Sequence, residues 1–362
     1  MRRIFSIDML SLLLPVVVGA VMFSTFAGGV SRWIKSARRN GFRHAAKKEN
    51  VVHTFCMRGK NKKSLARLDS AVSYLMTGTV RSTQVVSGKN GWLFYLHENE
   101  SEADPLCDYV GDERFPEEML AGTRSAIVEL RRRLSEAGAE LYVLVAPNKE
   151  TMYAEYMPEK IRRVSEVSRT DEMVRYLERC GDVPVVYPKA ALFRAKSLGD
   201  LYYRLDSHWN VVGGYVGTHE FLAYAGRPHA PVEERSVAKA TYPHDNDLLK
   251  LSGLGGLIRK DKTEWVVGGL PELGPRDVKW NDLWNNKNAS ANTEDTLLVV
   301  GDSFRRSMLT PLAEEFASLY EVHRDQCPDL LALVEELHPK IVLLEFVERY
   351  SGDIKRTVDK WL

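Results

Sequence analysis

The sequence predicts an α/β domain in which a parallel sheet is covered by helices on both faces. Three short apolar runs carry that expectation: residues 141–146 (LYVLVA), 297–300 (LLVV) and 341–347 (IVLLEFV). Runs of this kind suit strands buried on both faces. Helix-period segments fall between them, and alternating strands and helices close into a parallel sheet with helical cover. No internal repeat is present.

Taken in order, the chain opens on an apolar segment. Residues 9–27 (MLSLLLPVVVGAVMFSTFA) carry no charge and follow Arg2 and Arg3. At about 1.5 Å per residue such a run is roughly long enough to cross a hydrocarbon core. An uncleaved N-terminal transmembrane helix over residues 1–30 is the expectation, with a cleaved signal peptide as the alternative. The far flank carries Arg32, Lys35, Arg38, Arg39, Arg43, Lys47 and Lys48. A strict count of positive charge puts that flank in the cytoplasm. A basic stretch lying on anionic headgroups is the other reading.

Residues 31–84 read as a basic, weakly helical, membrane-proximal stalk. Within 85–96, Lys89-Asn90-Gly91 sits between β-formers and predicts a hairpin. Leu120, Ile127, Leu130 and Leu134 space an amphipathic helix over 116–137, which Gly138 ends. Helices are expected at 171–179, 189–198, 213–225, 308–320 and 329–337, and a short strand at 183–187. Residues 227–295 are rich in Asp, Asn and Gly, poorly periodic, and read as an insertion or cap on a domain spanning 85–362.

Composition excludes some classes. The 362 residues are 44% hydrophobic and 27% charged, with 50 Lys and Arg against 49 Asp and Glu. No whole-molecule field points to nucleic acid. Cys56, Cys107, Cys180 and Cys327 form no CxxC pair, so neither a zinc site nor a redox dithiol is suggested. Disulfides and free thiols both stay open.

Four constellations could carry chemistry. In Val300-Gly301-Asp302-Ser303-Phe304 a buried strand runs into a turn and then a helix, placing Ser303 where backbone N–H groups favour an oxyanion. Helix capping by Asp302 or Ser303 is the plainer reading. In Asp206-Ser207-His208-Trp209, a carboxylate two residues from an imidazole can hold its tautomer, and a serine nucleophile requires such a base. Asn148, after the 141–146 strand, is an oxyanion-donor candidate, and Tyr153 and Arg305 are substrate candidates. Glu348 and Arg349, after the last strand, either organise the site or form a surface ion pair. Trp209, Trp284 and Tyr202 are candidates for stacking on sugars, with core packing as the alternative.

The ordered set GKNGWLFYL (88–96), APNKETMYAEYMP (146–158), LDSHWN with GGY (205–215), VVGDSF (299–304) and LLEFVERY (343–350) resembles the alginate O-acetyltransferase group of SGNH-like proteins. The resemblance implies an SGNH-hydrolase-like, flavodoxin-like core, circularly permuted so that the Asp-His pair precedes the serine. It implies Ser303 as nucleophile, His208 as base and Asp206 as its orienting partner, with no metal and no cofactor. Ser207 stands where that group usually has Thr or His. The implied activity is O-acetyl transfer, through an acyl-serine, onto a hydroxyl of an extracytoplasmic polysaccharide. A membrane-bound O-acyltransferase would supply the acetyl group. The chain would then be a single-pass inner-membrane protein with its domain in the periplasm. Alternatives are a carbohydrate acetylesterase, a non-catalytic polysaccharide-binding subunit, and a metal hydrolase using Asp206, His208 and His219.

Overall fold

The computed structural model describes residues 59–97, 105–241, 246–257, 263–275 and 282–362. The transmembrane segment expected over 9–27 and most of the stalk lie outside these residues. Among the described residues no helix is long and apolar enough to cross a membrane. The chain divides into two units, Met1–Val72 and Ser73–Leu362, and the sheets and the site lie in the second.

The first two strands, β1 (Val85–Ser87) and β2 (Leu93–Tyr95), pair antiparallel with Val85 opposite Tyr95. The turn between them works because Asn90 adopts φ 55, a left-handed conformation that asparagine tolerates. The main sheet has six strands in the order β4-β3-β10-β8-β9-β7. Its members are β3 (Glu140–Ala146), β4 (Val185–Val186), β7 (Trp284–Lys287), β8 (Thr293–Gly301), β9 (Phe316–His323) and β10 (Ile341–Val347). A separate antiparallel pair, β5 (Val237–Thr241) and β6 (Thr263–Val267), lies within the insertion.

Neighbours from β4 to β9 run parallel, whereas β7 pairs antiparallel with β9. The sheet is therefore mixed, not purely parallel. The insertion is also more than a cap, since its end supplies this edge strand. A second correction concerns 308–320: the helix stops at Glu315, and Phe316–His323 is a strand. Its buried Phe316, Leu319 and Val322 recur every three residues and imitate a helical stripe.

Period-2 alternation builds the two faces. Leu297, Val299 and Leu343 join one apolar cluster, and Leu298, Val300, Val342 and Leu344 join the other. The first cluster packs on the helix Val211–Tyr224, and the second on Glu117–Glu136 and Arg169–Cys180. All of β10 is buried, which explains its unbroken apolar run. Each such apolar side chain contributes about 1.5–3 kcal/mol on burial. Glu345 is the exception in that strand. Burial and the neighbouring Asp302 carboxylate push its pKa well above the usual range.

Candidate active site

Ser303 opens a 3-10 turn, Ser303–Met308, directly after β8. The capping task falls to Asp302, whose carboxylate accepts from Phe304 N–H at 3.0 Å and from Val347 N–H at 2.7 Å. One residue thus both caps the turn and ties it to β10, leaving the Ser303 hydroxyl for other work. Gly301 sits opposite Glu345, and a Cβ there would lie 2.6 Å from Glu345 Oε2. The helix Val211–Tyr224 comes equally close on the other side, because a Cβ at Gly214 would lie 2.3 Å from the Ser307 carbonyl.

The Asp206–His208 turn is held differently. Leu201–Tyr203 and His208–Asn210 face each other, with Tyr203 N–H donating to His208 O at 3.2 Å and Asn210 N–H to Leu201 O at 2.9 Å. Beneath them the buried Lys149 donates to three carbonyls: Leu93 at 2.6 Å, Arg204 at 2.9 Å and Asp206 at 2.9 Å. Burial lowers its pKa to about 7, while the three carbonyls give all three donors of the ammonium a partner. Trp209 donates its indole N–H to Phe304 O at 2.7 Å, which joins this loop to the serine turn.

The two turns bring three side chains into a line. His208 Nε2 lies 2.6 Å from Ser303 Oγ, and His208 Nδ1 lies 2.7 Å from Asp206 Oδ1. Asp206 also accepts from His208 N–H at 3.1 Å and from Asp247 N–H at 2.8 Å. Burial alone would raise the Asp206 pKa. The His208 charge and these hydrogen bonds outweigh burial and hold the carboxyl below its ordinary range. Burial likewise pulls His208 down, but Asp206 and then Asp247 carry it above its ordinary value. Neutral His208 with its proton on Nδ1 can take a proton from Ser303 at Nε2. The resulting imidazolium is stabilised by Asp206.

The remaining sequence candidates fare unequally. Asn148 is buried; its N–H donates to Glu348 Oε2 at 2.7 Å and its Oδ1 accepts from Arg349 N–H at 3.3 Å. Its Nδ2 has no partner, although the atom is itself buried. Tyr153 is buried, accepts from Leu201 N–H at 2.7 Å and stacks on Trp92, so it braces the loop and is not a substrate contact. Trp209 is fully buried, and Tyr202 and Trp284 nearly so, which removes all three as sugar platforms.

Arg305 is also fully buried. It pairs with Glu321 and donates to Asp302 O at 2.5 Å, so it supports the serine turn and does not face substrate. The surface ion pair expected of Glu348 and Arg349 is absent, because both are buried. Glu348 accepts from Asn148 N–H and from Ser168 Oγ, whereas the Arg349 guanidinium lies over Tyr95 and Phe304. His219 pairs with His229 at 3.4 Å instead of joining Asp206 and His208.

The acidic residue that does join them is Asp247, and its ligand atoms lie within 4.8 Å of those of Asp206 and His208. These three could hold a metal ion only by giving up existing bonds, since Asp206 is committed to His208 and Asp247 to Ser207. The donor set is a closed hydrogen-bond network and does not suit a resident metal. Among the described residues, Cys107, Cys180 and Cys327 are free thiols.

Sequence reasoning missed two residues here. Lys149 carried one usable signal: a lysine three residues past the end of a buried strand must satisfy its ammonium or reach solvent. Asp247 carried none beyond an Asn-Asp pair preceding a short apolar helix.

Residues 85–265 match the family described as ALGX, SGNH hydrolase-like domain, acetyltransferase AlgX. Over 304 residues the chain is 28% identical to a probable alginate O-acetylase AlgJ of Pseudomonas putida, covering 77% of this chain and 74% of that protein. Among solved structures, a DHHW family protein from Eubacterium siraeum superposes with TM-score 0.55 at 14% identity, covering 78% of this chain and 97% of that one. PatB1 of Bacillus cereus superposes with TM-score 0.52 at 15% identity, covering 76% and 98%. These likenesses show the fold, an SGNH-hydrolase-like α/β arrangement on a mixed sheet. With half of its length matched by the family's own description, the chain belongs to the AlgX-type SGNH hydrolase-like family.

Proposed function

We propose that this protein is an O-acetyltransferase that carries an acetyl group on Ser303 and passes it to a hydroxyl of an extracytoplasmic polysaccharide. The observation that carries the reading is the line of Ser303 Oγ, His208 and Asp206 at 2.6 and 2.7 Å. A serine whose only role was to cap a turn would have no need of an imidazole so oriented. The relation to probable alginate O-acetylases supports acetyl as the group transferred.

Ser303 Oγ attacks the acetyl carbonyl of the donor while His208 Nε2 takes the hydroxyl proton. The tetrahedral oxyanion is received by the Ser303 N–H and the free amide of Asn148. Collapse expels the donor's leaving group, which takes the proton back from His208. An acceptor hydroxyl then gives its proton to His208 and attacks the acetyl-serine; Ser303 Oγ leaves by taking that proton back from His208, which releases acetylated sugar and free Ser303. The donor is supplied by a membrane-bound O-acyltransferase, and residues 9–27 hold the chain in the inner membrane with this domain in the periplasm.

The test uses the full-length chain with a small acetyl ester, with and without an oligosaccharide panel. Mass spectrometry should find acetyl on the Ser303 peptide and then on sugar, and neither in Ser303→Ala. Acetate release without acetylated sugar would make the protein an esterase. No acetyl-serine at all would overturn the reading.

A further inference from the structure

The 227–295 insertion places a second carboxylate at the histidine. Asp247 is the first residue of the short helix Asp247–Leu251. The buried Asn246 before it has φ 53, a left-handed turn that asparagine accepts at little cost. Three bonds then lock Asp247 to the catalytic turn. Ser207 N–H donates to Oδ1 at 2.8 Å, Ser207 O–H donates to Oδ2 at 2.5 Å, and the Asp247 N–H donates to Asp206 Oδ2 at 2.8 Å. Asp247 Oδ2 lies 3.5 Å from His208 Nδ1, against 2.7 Å for Asp206. The imidazole proton therefore bonds Asp206, and Asp247 acts on the ring through its charge.

We propose that Asp247 is a positioning residue: the insertion uses it to clamp the Asp206–Ser207–His208 turn and to set the basicity of His208 with a second negative charge. This rests on reading His208 as the base for Ser303.

The charge itself needs a reason. An asparagine could still accept from Ser207 N–H through its amide oxygen and would not repel Asp206, although its NH2 would then face the Ser207 hydroxyl. Burial and that repulsion raise the Asp247 pKa to about 6, so the ionised form costs the fold stability at neutral pH. What the charge does favour is protonated His208. Facing this pair are Asp206, Ser207 and Lys149 from the core, and Arg349 from the loop after β10. Arg349 opposes the effect by lowering the His208 pKa. The insertion thus completes a site whose other members all come from the central domain.

Two measurements on the full-length chain test this. The first follows the His208 ring by NMR titration in Ser303→Ala, with and without Asp247→Asn, and needs no activity. The His208 pKa should fall by about half to one unit on losing the second carboxylate. Ser207→Ala, which loosens the clamp but keeps the charge, should give a smaller fall. A His208 pKa unmoved in Asp247→Asn overturns the proposal. The second measures acetylation of Ser303 by a chromogenic acetyl ester against pH. The acid limb in Asp247→Asn should move down by the same amount, because neutral His208 then persists to lower pH. Asp247→Ala, which also frees Ser207, should lower the plateau by about tenfold. A limb that stays in place in both variants overturns the proposal as well. If the wild type is never acetylated, the proposed function fails, and the titration still decides the role of Asp247. Thermal unfolding at pH 7 shows that each variant is folded; Asp247→Asn should be no less stable than the parent.

Discussion

The two turns that meet at the site are built on different principles. The serine turn continues a core strand. Gly301, Asp302 and Phe304 are buried, and Asp302 is bonded to β10, so the position of Ser303 inherits the rigidity of the sheet. The histidine turn belongs to no long strand. It hangs on Lys149 from below, on the Trp209 indole from the side and on Asp247 from the insertion. Ser303 is therefore placed by backbone, and His208 by a few side chains from distant parts of the sequence. A single substitution should disturb the position of His208 more readily than that of Ser303.

Substitutions can break or sharpen that contrast. The largest effect is chemical: Ser303→Ala should reduce acetyl-enzyme formation by about a thousandfold or more. Its thermal midpoint should stay near wild type, because the sheet, not the hydroxyl, holds the turn. A large fall in stability would show that the hydroxyl is structural.

Lys149→Met comes next. It leaves three carbonyls without a buried donor and should cost about 3 kcal/mol in denaturant unfolding, with loss of acetylation from a misplaced His208. Wild-type stability in this variant would mean that the loop does not hang on the ammonium. Gly301→Ala attacks the serine side, where a methyl would press on Glu345. A cost of about 1–3 kcal/mol is expected, read from the unfolding midpoint.

The Asp206–His208 pair makes a prediction with a definite sign. Asp206 has its pKa lowered from 3.8, so its contribution is present above that pH and is lost as pH falls through the depressed value. His208 has its pKa raised from 6.5, so its contribution is full below that pH and is lost as pH rises through the folded value. The stability difference between wild type and His208→Gln should thus peak between 3.8 and 6.5. A flat difference would show that the pair is not ionic. The smallest effect is expected of Tyr153→Phe, which removes one hydrogen bond to Leu201 N–H and should cost about 1 kcal/mol. A changed KM for sugar in that variant would return Tyr153 to the substrate site.

Much of the serine side was readable in advance. The strand before Ser303 is a run of fully buried residues, and the hairpin at Asn90 follows from one residue's tolerance of a left-handed turn. The errors share a cause. Phe316–His323 is a strand whose apolar spacing imitates a helix, and Trp284–Lys287 is a strand whose asparagines hide it. Both lie beside β8 or at the sheet edge, where pairing partners override local preference. Trp209, Tyr153 and Arg305 carry side chains that suit contacts with substrate. Their aromatic rings and guanidinium instead found partners inside, which is equally good chemistry for the same side chains.

The sequence by itself determined the alternation of strands and helices, the strand that delivers Ser303, and an imidazole two residues from a carboxylate. Those features are local, because periodicity and spacing report burial and reach within one segment. Only the tertiary structure decided that β10 lies between β3 and β8, which sets the Arg349 loop beside the serine turn and the Asn148 loop beside that of Arg349. It also brought Asp247 within 3.5 Å of His208 across the insertion. The physical reason is that a hydrogen bond between two turns depends on strand order and loop path, and neither leaves a periodic trace in the residues that make the bond.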